Sequence, residues 1–473
     1  MDKEGIPMKK SARIASACIA CLAMLSFSAC GGPGPQGGKG AGGAEQIHSD
    51  AKANDDAKCQ NTIKKKGVEK VTVWAWYPAM EKMVDRFNDQ HDDVQVCWTR
   101  AGSGQTQYQK ITTAVKAKSG LADVVQIEYD VLSQYVSGVE KHLVDLNQFG
   151  AGKLAGQYTK GVWNSVSLGG GKSIYAIPVD QGPFVMMYRK DIFDKYGVKV
   201  PTTWQEYEQA GKELRQNGFQ GHIGNYEPSG NGSNVTLIAQ NKGKVYDYSA
   251  SEPDKLGVDF TSKQSQEVME YWQKLAKEGV VTTDDAYTAE WYKKIVDGSW
   301  ATAVCASWLV GNVRGVSGAD SSADWKISKA PVWDSSTPSV NFGGSSLAVT
   351  DQAKDTKKAA KVAMEFFDDP AIQQTAITES GLFPTWTKVL NSDRFKNMTD
   401  PFYGDQKINE VIAPVALAYK GYDYLPFQPY AYDEQTKVFT EIVRNGADVP
   451  SSLRSLNKTL TDYATQQGFT VRR

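Results

Sequence analysis

The stretch that most restricts the fold is residues 175–207, YAIPVDQGPFVMMYRKDIFDKYGVKVPTTWQEY. A strand-like apolar run breaks at Pro178 and presents Asp180 and Gln181 before Gly182-Pro183. Glycine next to proline marks a turn. A second apolar run, 184–188, follows at once, and Ile192, Phe193 and Tyr196 then repeat at helical spacing. Gly197 stops that helix, and Pro201-Thr202-Thr203 caps the next one. The passage reads as a chain crossing from one α/β lobe into another, with two polar side chains held at the crossing.

With 473 residues the chain has the length for two or more domains. Its 53 basic residues balance 54 acidic ones, which argues against nucleic acid or an anionic membrane surface as a partner. The N-terminus has a different character. Lys9, Lys10 and Arg13 precede a short apolar run at 14–27, and small residues then lead to Cys30. This is the pattern of a secretory signal. It resembles a bacterial lipobox with Phe27 where leucine is usual, which implies diacylation of Cys30. The apolar run falls short of the ~20 residues that span a bilayer. Residues 1–30 are therefore expected to be a lipoprotein signal peptide, and 31–65, rich in Gly, Ala, Gln and Asp at its start, a flexible tether. The expected location is the extracellular face of the cell membrane, lipid-anchored; a secreted protein without lipid and an uncleaved anchor are the alternatives.

Outside the cytoplasm a disulfide is permitted. Cys59 precedes the first expected strand and Cys97 falls in the second, which makes them the candidate pair, while Cys305 sits in an apolar run and reads as a buried thiol. Four scattered histidines (His48, His91, His142, His222) have no ligand spacing, so neither a metal nor another cofactor is expected.

Strands at 71–77, 94–99 and 122–128 alternate with helical patterns, which argues a parallel α/β sheet. Ligands bind at the carboxyl ends of such strands. That rule points to Trp76 and to Glu128 and Asp130, although the two carboxylates serve equally well as helix caps. After the crossing, SWATAVCAS at 299–307 reads as a strand delivering Trp308, and Glu227 follows another short strand. Gly343 and Gly344 in GGSSLAV fit either a hinge beside a ligand or a tight turn. GLFPTW ends at Trp386, and YDYLPFQPYAY (422–432) clusters aromatics around Tyr430.

Taken in order, the lipobox, the crossing, GGSSLAV, GLFPTW and the helix-rich tail resemble extracellular solute-binding proteins of carbohydrate ABC importers, over roughly residue 71 to the C-terminus. The resemblance implies a two-lobed periplasmic-binding-protein-like α/β fold with a ligand cleft between the lobes. Lobe 1 would comprise 66–178 and 345–390, and lobe 2 183–340 and 395–473. It also implies a monomer that closes on an oligosaccharide and docks on the transmembrane subunits of an ABC permease. Ligand contacts are then expected from Trp76, Glu128, Asp130, Asp180, Gln181, Glu227, Trp308, Gly343, Gly344, Trp386 and Tyr430. The 12 Trp and 22 Tyr suit sugars, whose C–H faces stack on rings, although core packing also uses them.

Enzyme signatures do not assemble. LGGGKS ends like a phosphate loop, but Val166 stands where the first glycine belongs. Neither G-x-S-x-G nor H-E-x-x-H occurs. The carboxylates leave a secreted glycosidase as an alternative. A peptide, polyamine or iron chelate carried on the same scaffold is another, and a surface adhesin is a third.

Overall fold

A computed structural model describes residues 59–137, 141–318 and 323–472. The expected signal peptide, Cys30 and most of the tether lie outside the described residues. The tether was expected to reach residue 65, but residues 59–65 are fixed to the body. Cys59 is bonded to Cys97. Asn61 is buried: its side-chain amide donates to the Val96 carbonyl (2.9 Å), and its Oδ1 accepts from the Trp98 amide (2.7 Å). The polar composition of this segment hid a side chain that completes the edge of a sheet.

That sheet has five strands in the order Gln95–Thr99, Lys70–Trp74, Val124–Glu128, Ser345–Val349, Ile177–Pro178. Alternation sets its inner face: Val71, Val73 and Ala75 point into a core shared with Met83 and Phe87 of the helix Met80–Gln90. The first three strands are parallel, as alternating strands and helices predict. Ser345–Val349 runs antiparallel to both neighbours, so the sheet is mixed. The reason is connectivity, because this strand returns from the other lobe and enters from the opposite end.

A second, smaller sheet centres on Phe184–Arg189, flanked antiparallel by Thr302–Ala306 and Trp325–Lys329. Helix Trp204–Gln216 follows the crossing and carries the expected cap. The Glu206 amide donates to Thr203 Oγ1 (3.1 Å), and the Glu206 carboxylate accepts from the Thr203 amide (3.2 Å). The cores divide with the sheets. One gathers apolar residues from Val71 to Val179 and from Leu347 to Trp386, and two others gather those from Phe184 to Val340 and from Phe383 to Ala464.

Three segments pass between the cores and are hydrogen-bonded to one another. The Gly182 amide donates to Asn341 Oδ1 (2.7 Å), and the Phe342 amide donates to the Gly182 carbonyl (2.8 Å). The Gln181 amide donates to the Phe383 carbonyl (3.1 Å), and its side-chain amide to Pro384 (2.8 Å). A Cβ on Gly182 would stand 2.0 Å from the Phe342 carbonyl oxygen, so glycine is what lets these backbones meet.

The disulfide closes a loop of 38 residues that holds the first two strands together. Replacing Cys59 and Cys97 by serine is expected to remove about 2–4 kcal/mol of stability. A urea titration of the variant against the oxidised protein checks this, and equal midpoints would show that the Asn61 contacts hold the edge unaided.

Candidate functional site

Between the cores lies a cavity of about 640 Å³. Seven residues expected at the ligand line it: Trp76, Glu128, Asp130, Asp180, Trp308, Gly343 and Gly344. Trp76 leaves the carboxyl end of Lys70–Trp74, and its ring meets Tyr108 edge-on at 6.0 Å. Glu128 ends its strand and Asp130 lies in the first turn of the short helix Tyr129–Leu132, yet no side chain caps that helix at Glu128. The capping alternative is not realised for Glu128; Tyr108 Oη donates to its Oε2 (2.7 Å), and Tyr432 Oη donates to Asp130 Oδ2 (3.1 Å).

Asp180 is held from the return crossing, where both the amide and the hydroxyl of Ser345 donate to its Oδ1 (2.9 and 2.5 Å). Gly344 has φ +104°, and a Cβ there would lie 2.7 Å from both the Asp180 carbonyl oxygen and the Tyr129 ring. Its backbone therefore lies flat against Asp180. On the facing side, Trp308 opens the helix Trp308–Ser317, and its indole N–H donates to the Phe342 carbonyl (3.1 Å).

Burial raises all three carboxyls. Asp180 is pushed up to about 6, against the opposing pull of the Ser345 hydrogen bonds. Burial also raises Glu128 and Asp130, and the neighbouring Asp130 charge adds to the effect on Glu128. Their hydrogen bonds from Tyr108 and Tyr432 pull the other way. Neutral donors thus hold carboxyl groups at the cavity, beside the rings of Trp76 and Trp308. Such groups accept hydrogen bonds from ligand hydroxyls, and charge assistance strengthens those bonds. Among the described residues no cluster of His, Cys, Asp and Glu is arranged to hold a metal ion.

The sequence pattern of the bacterial extracellular solute-binding protein family matches residues 82–401. The chain belongs to this family. The solute-binding protein is 22% identical over 370 residues to an arabinooligosaccharide-binding protein of Halalkalibacterium halodurans, covering 75% of this chain and 79% of the relative. Among solved structures it is similar to an ABC transporter associated binding protein from B. animalis subsp. lactis in complex with beta-1,6-galactobiose. There the TM-score is 0.73 at 27% identity, covering 86% of this chain and all of the other. The galacto-N-biose-/lacto-N-biose I-binding protein of Bifidobacterium longum shares the fold, with TM-score 0.72 at 23% identity and coverage of 86% and 100%. These relatives are binding proteins, and the two-lobed α/β architecture is common to them. No helix among the described residues is long and apolar enough to cross a membrane.

Four expected contacts of the solute-binding protein fall elsewhere. Gln181 is fully buried in the crossing, where its amide serves Pro384. Trp386 is 4% exposed and packs on Phe367 in the first core. Tyr430 stacks on Tyr463 at 3.8 Å, outside the cavity lining. Glu227 lines a separate cavity in the second lobe, with its Oε1 accepting from the Ala286 amide (3.0 Å). The residues missed include Tyr108, Gln126, Phe342 and Tyr432. Phe342 adjoins the paired glycines and was the most findable. Tyr108 and Gln126 carry no distinguishing pattern.

A carboxyl raised in the folded state binds more protons than in the unfolded chain. Stability from Asp180 is therefore greatest below its unfolded value and falls as pH rises towards about 6. Melting of the ligand-free protein is expected to drop from pH 4.5 to pH 7 through this group. Asp180→Asn, which keeps an oxygen acceptor for Ser345, should flatten that slope in a pH series of Tm. An unchanged slope would assign it to other groups.

Proposed function

We propose that this solute-binding protein captures an oligosaccharide between its lobes, taken as 66–178 with 345–390 and 183–340 with 395–473, and delivers it to an ABC importer permease. The observation that carries the reading is one cavity lined by Trp76 and Trp308 together with Glu128, Asp130 and Asp180. Rings suit the C–H faces of pyranoses, and the carboxylates suit their hydroxyls. The relative at 27% identity holds beta-1,6-galactobiose, and the curated relative binds arabinooligosaccharides, so a short oligosaccharide is the class to test.

On this reading the lobes rotate about the three hydrogen-bonded segments and exclude water from the bound sugar. The closed form presents the permease with a surface that the open form lacks. Lipid attachment at Cys30 would keep the loaded protein beside the membrane. The carboxylates act as acceptors that orient the ligand, not as acid and nucleophile, and no bond is cleaved.

Isothermal titration calorimetry against beta-1,6-galactobiose, lacto-N-biose, an arabino-disaccharide and spermidine tests the proposal. Saturable binding of a saccharide is expected, with no shorter products after hours and at least a roughly tenfold loss (about 1.4 kcal/mol) in Trp308→Ala. Hydroxyl donors favour ionised carboxyls, so binding should release protons, and affinity should rise from pH 5 to pH 7. Product release would turn the carboxyls into catalytic candidates. Binding of spermidine alone would move the cargo to a polyamine.

A further inference from the structure

The chain as a whole is electrically balanced, with 53 basic residues against 54 acidic. Its inter-lobe cavity is not. Glu128, Asp130 and Asp180 line it from the first lobe and the crossing, and Asp433 lines it from the helix Gln428–Asn445 of the second. Among the described residues no lysine, arginine or histidine lines it, and the other polar side chains on its wall are neutral.

Nothing nearby offsets this excess of acid. The charged groups that act on Glu128 are Asp130 and Asp180, and both oppose its ionisation. Tyr108, Tyr432 and Ser345 each donate to one oxygen of one acid, and all three donors are uncharged. The Oδ1 of Asp130 is out of solvent and has no hydrogen-bond partner. A buried acceptor left so costs free energy that a donor on the ligand would recover.

Two kinds of cation answer such a site. A metal ion needs convergent ligands, and no group of His, Cys, Asp and Glu among the described residues supplies them. An organic ammonium needs only acceptors and rings. Trp76, Tyr108, Trp308 and Tyr432 line the same cavity, and ring faces attract an ammonium as carboxylates do.

We propose that the solute is a short oligosaccharide bearing a free, protonated amino group, and that Asp130, with Glu128 beside it, receives the ammonium. This rests on the saccharide reading above and narrows it to amino sugars that are not acetylated. Bonds between an ammonium and a carboxylate are charge-assisted at both ends, and a cation beside the two acids favours their ionised forms. Acetylation of the amine removes its charge and leaves one N–H donor. Asp433, which is exposed, adds to the field that draws a cation into the cavity.

Calorimetry at pH 7 on pairs of sugars that differ only in acetylation tests it: lacto-N-biose with its de-N-acetylated form, and N,N'-diacetylchitobiose with the disaccharide of two β-1,4-linked glucosamines. Neutral beta-1,6-galactobiose and spermidine complete the panel. A free-amine disaccharide is expected to bind at least roughly tenfold (about 1.4 kcal/mol) more tightly than its acetylated partner and than galactobiose. Asp130→Asn, which keeps an oxygen for Tyr432, should bring the ratio within the pair close to one. Asp433→Asn, at an exposed position, should lower the ratio less. An unchanged ratio in Asp130→Asn would overturn the proposal, and the wild-type ratio decides the matter if that variant does not fold. Galactobiose or an acetylated sugar bound as tightly as every free-amine sugar would overturn it too, while leaving the saccharide reading in place. Failure of every sugar to bind, with or without binding of spermidine, would instead sink the saccharide reading itself.

Discussion

The structure depends on the hydrogen-bonded meeting of three chain segments between its cores. Asn341 is the centre of that meeting: its Oδ1 accepts from Gly182, and its amide donates to the Gly343 carbonyl (2.6 Å). Around it, Tyr129 Oη donates to the Asp180 carbonyl (2.8 Å), and the Tyr129 amide donates to Gly344 (3.1 Å). The same few residues therefore join the lobes and present Asp180, Gly343 and Gly344 to the cavity. A change of lobe angle about this proposed pivot cannot leave the site untouched, because the site is built on the same residues. Nor can it scatter the Asp180–Ser345 pair, which is tied by backbone bonds on both strands.

The carboxyls carry a cost that this arrangement explains. An acid buried without a cation loses solvation, and burial is the leading cause of the upward shift at Glu128, Asp130 and Asp180. A salt bridge would relieve that cost and also occupy the acceptors. Neutral donors such as Tyr108, Tyr432 and Ser345 orient each carboxyl while leaving it capacity to accept more. Stability is given up where a polar ligand would restore it, a trade common at binding sites.

The features legible in the sequence were those set by local rules. Alternation gave the strands around Val71 and Val124, proline and glycine gave the crossing, and strand ends gave Trp76, Glu128 and Asp130. The failures came where direction depends on distant packing. Gln181 adjoins Asp180, but an extended chain sends neighbours to opposite sides, and one reaches the cavity while the other enters the crossing. The aromatic cluster 422–432 runs into the helix Gln428–Asn445, which carries Pro429 in its first turn, where no amide partner is lost. Two residues along a helix turn about 200°, so Tyr432 faces Asp130 while Tyr430 faces Tyr463.

Glu227 shows why residue type alone misleads. A carboxylate after a short strand has the chemistry of a ligand contact, and the sequence offers no sign that its oxygen is taken by a backbone amide 59 positions later. The distinction matters for what each lobe brings to the cavity. Glu128, Asp130 and Asp180 come from the first lobe and the crossing, where strand ends and backbone bonds hold them, and Asp433 lines the same cavity from the helix Gln428–Asn445 of the second lobe. Both lobes contribute rings, Trp76 and Tyr108 from the first and Trp308 and Tyr432 from the second. Acceptors and rings therefore stand on both sides of the cavity. On the proposed reading, a ligand that met both sides at once would favour one lobe angle, and recognition would thereby be coupled to closure.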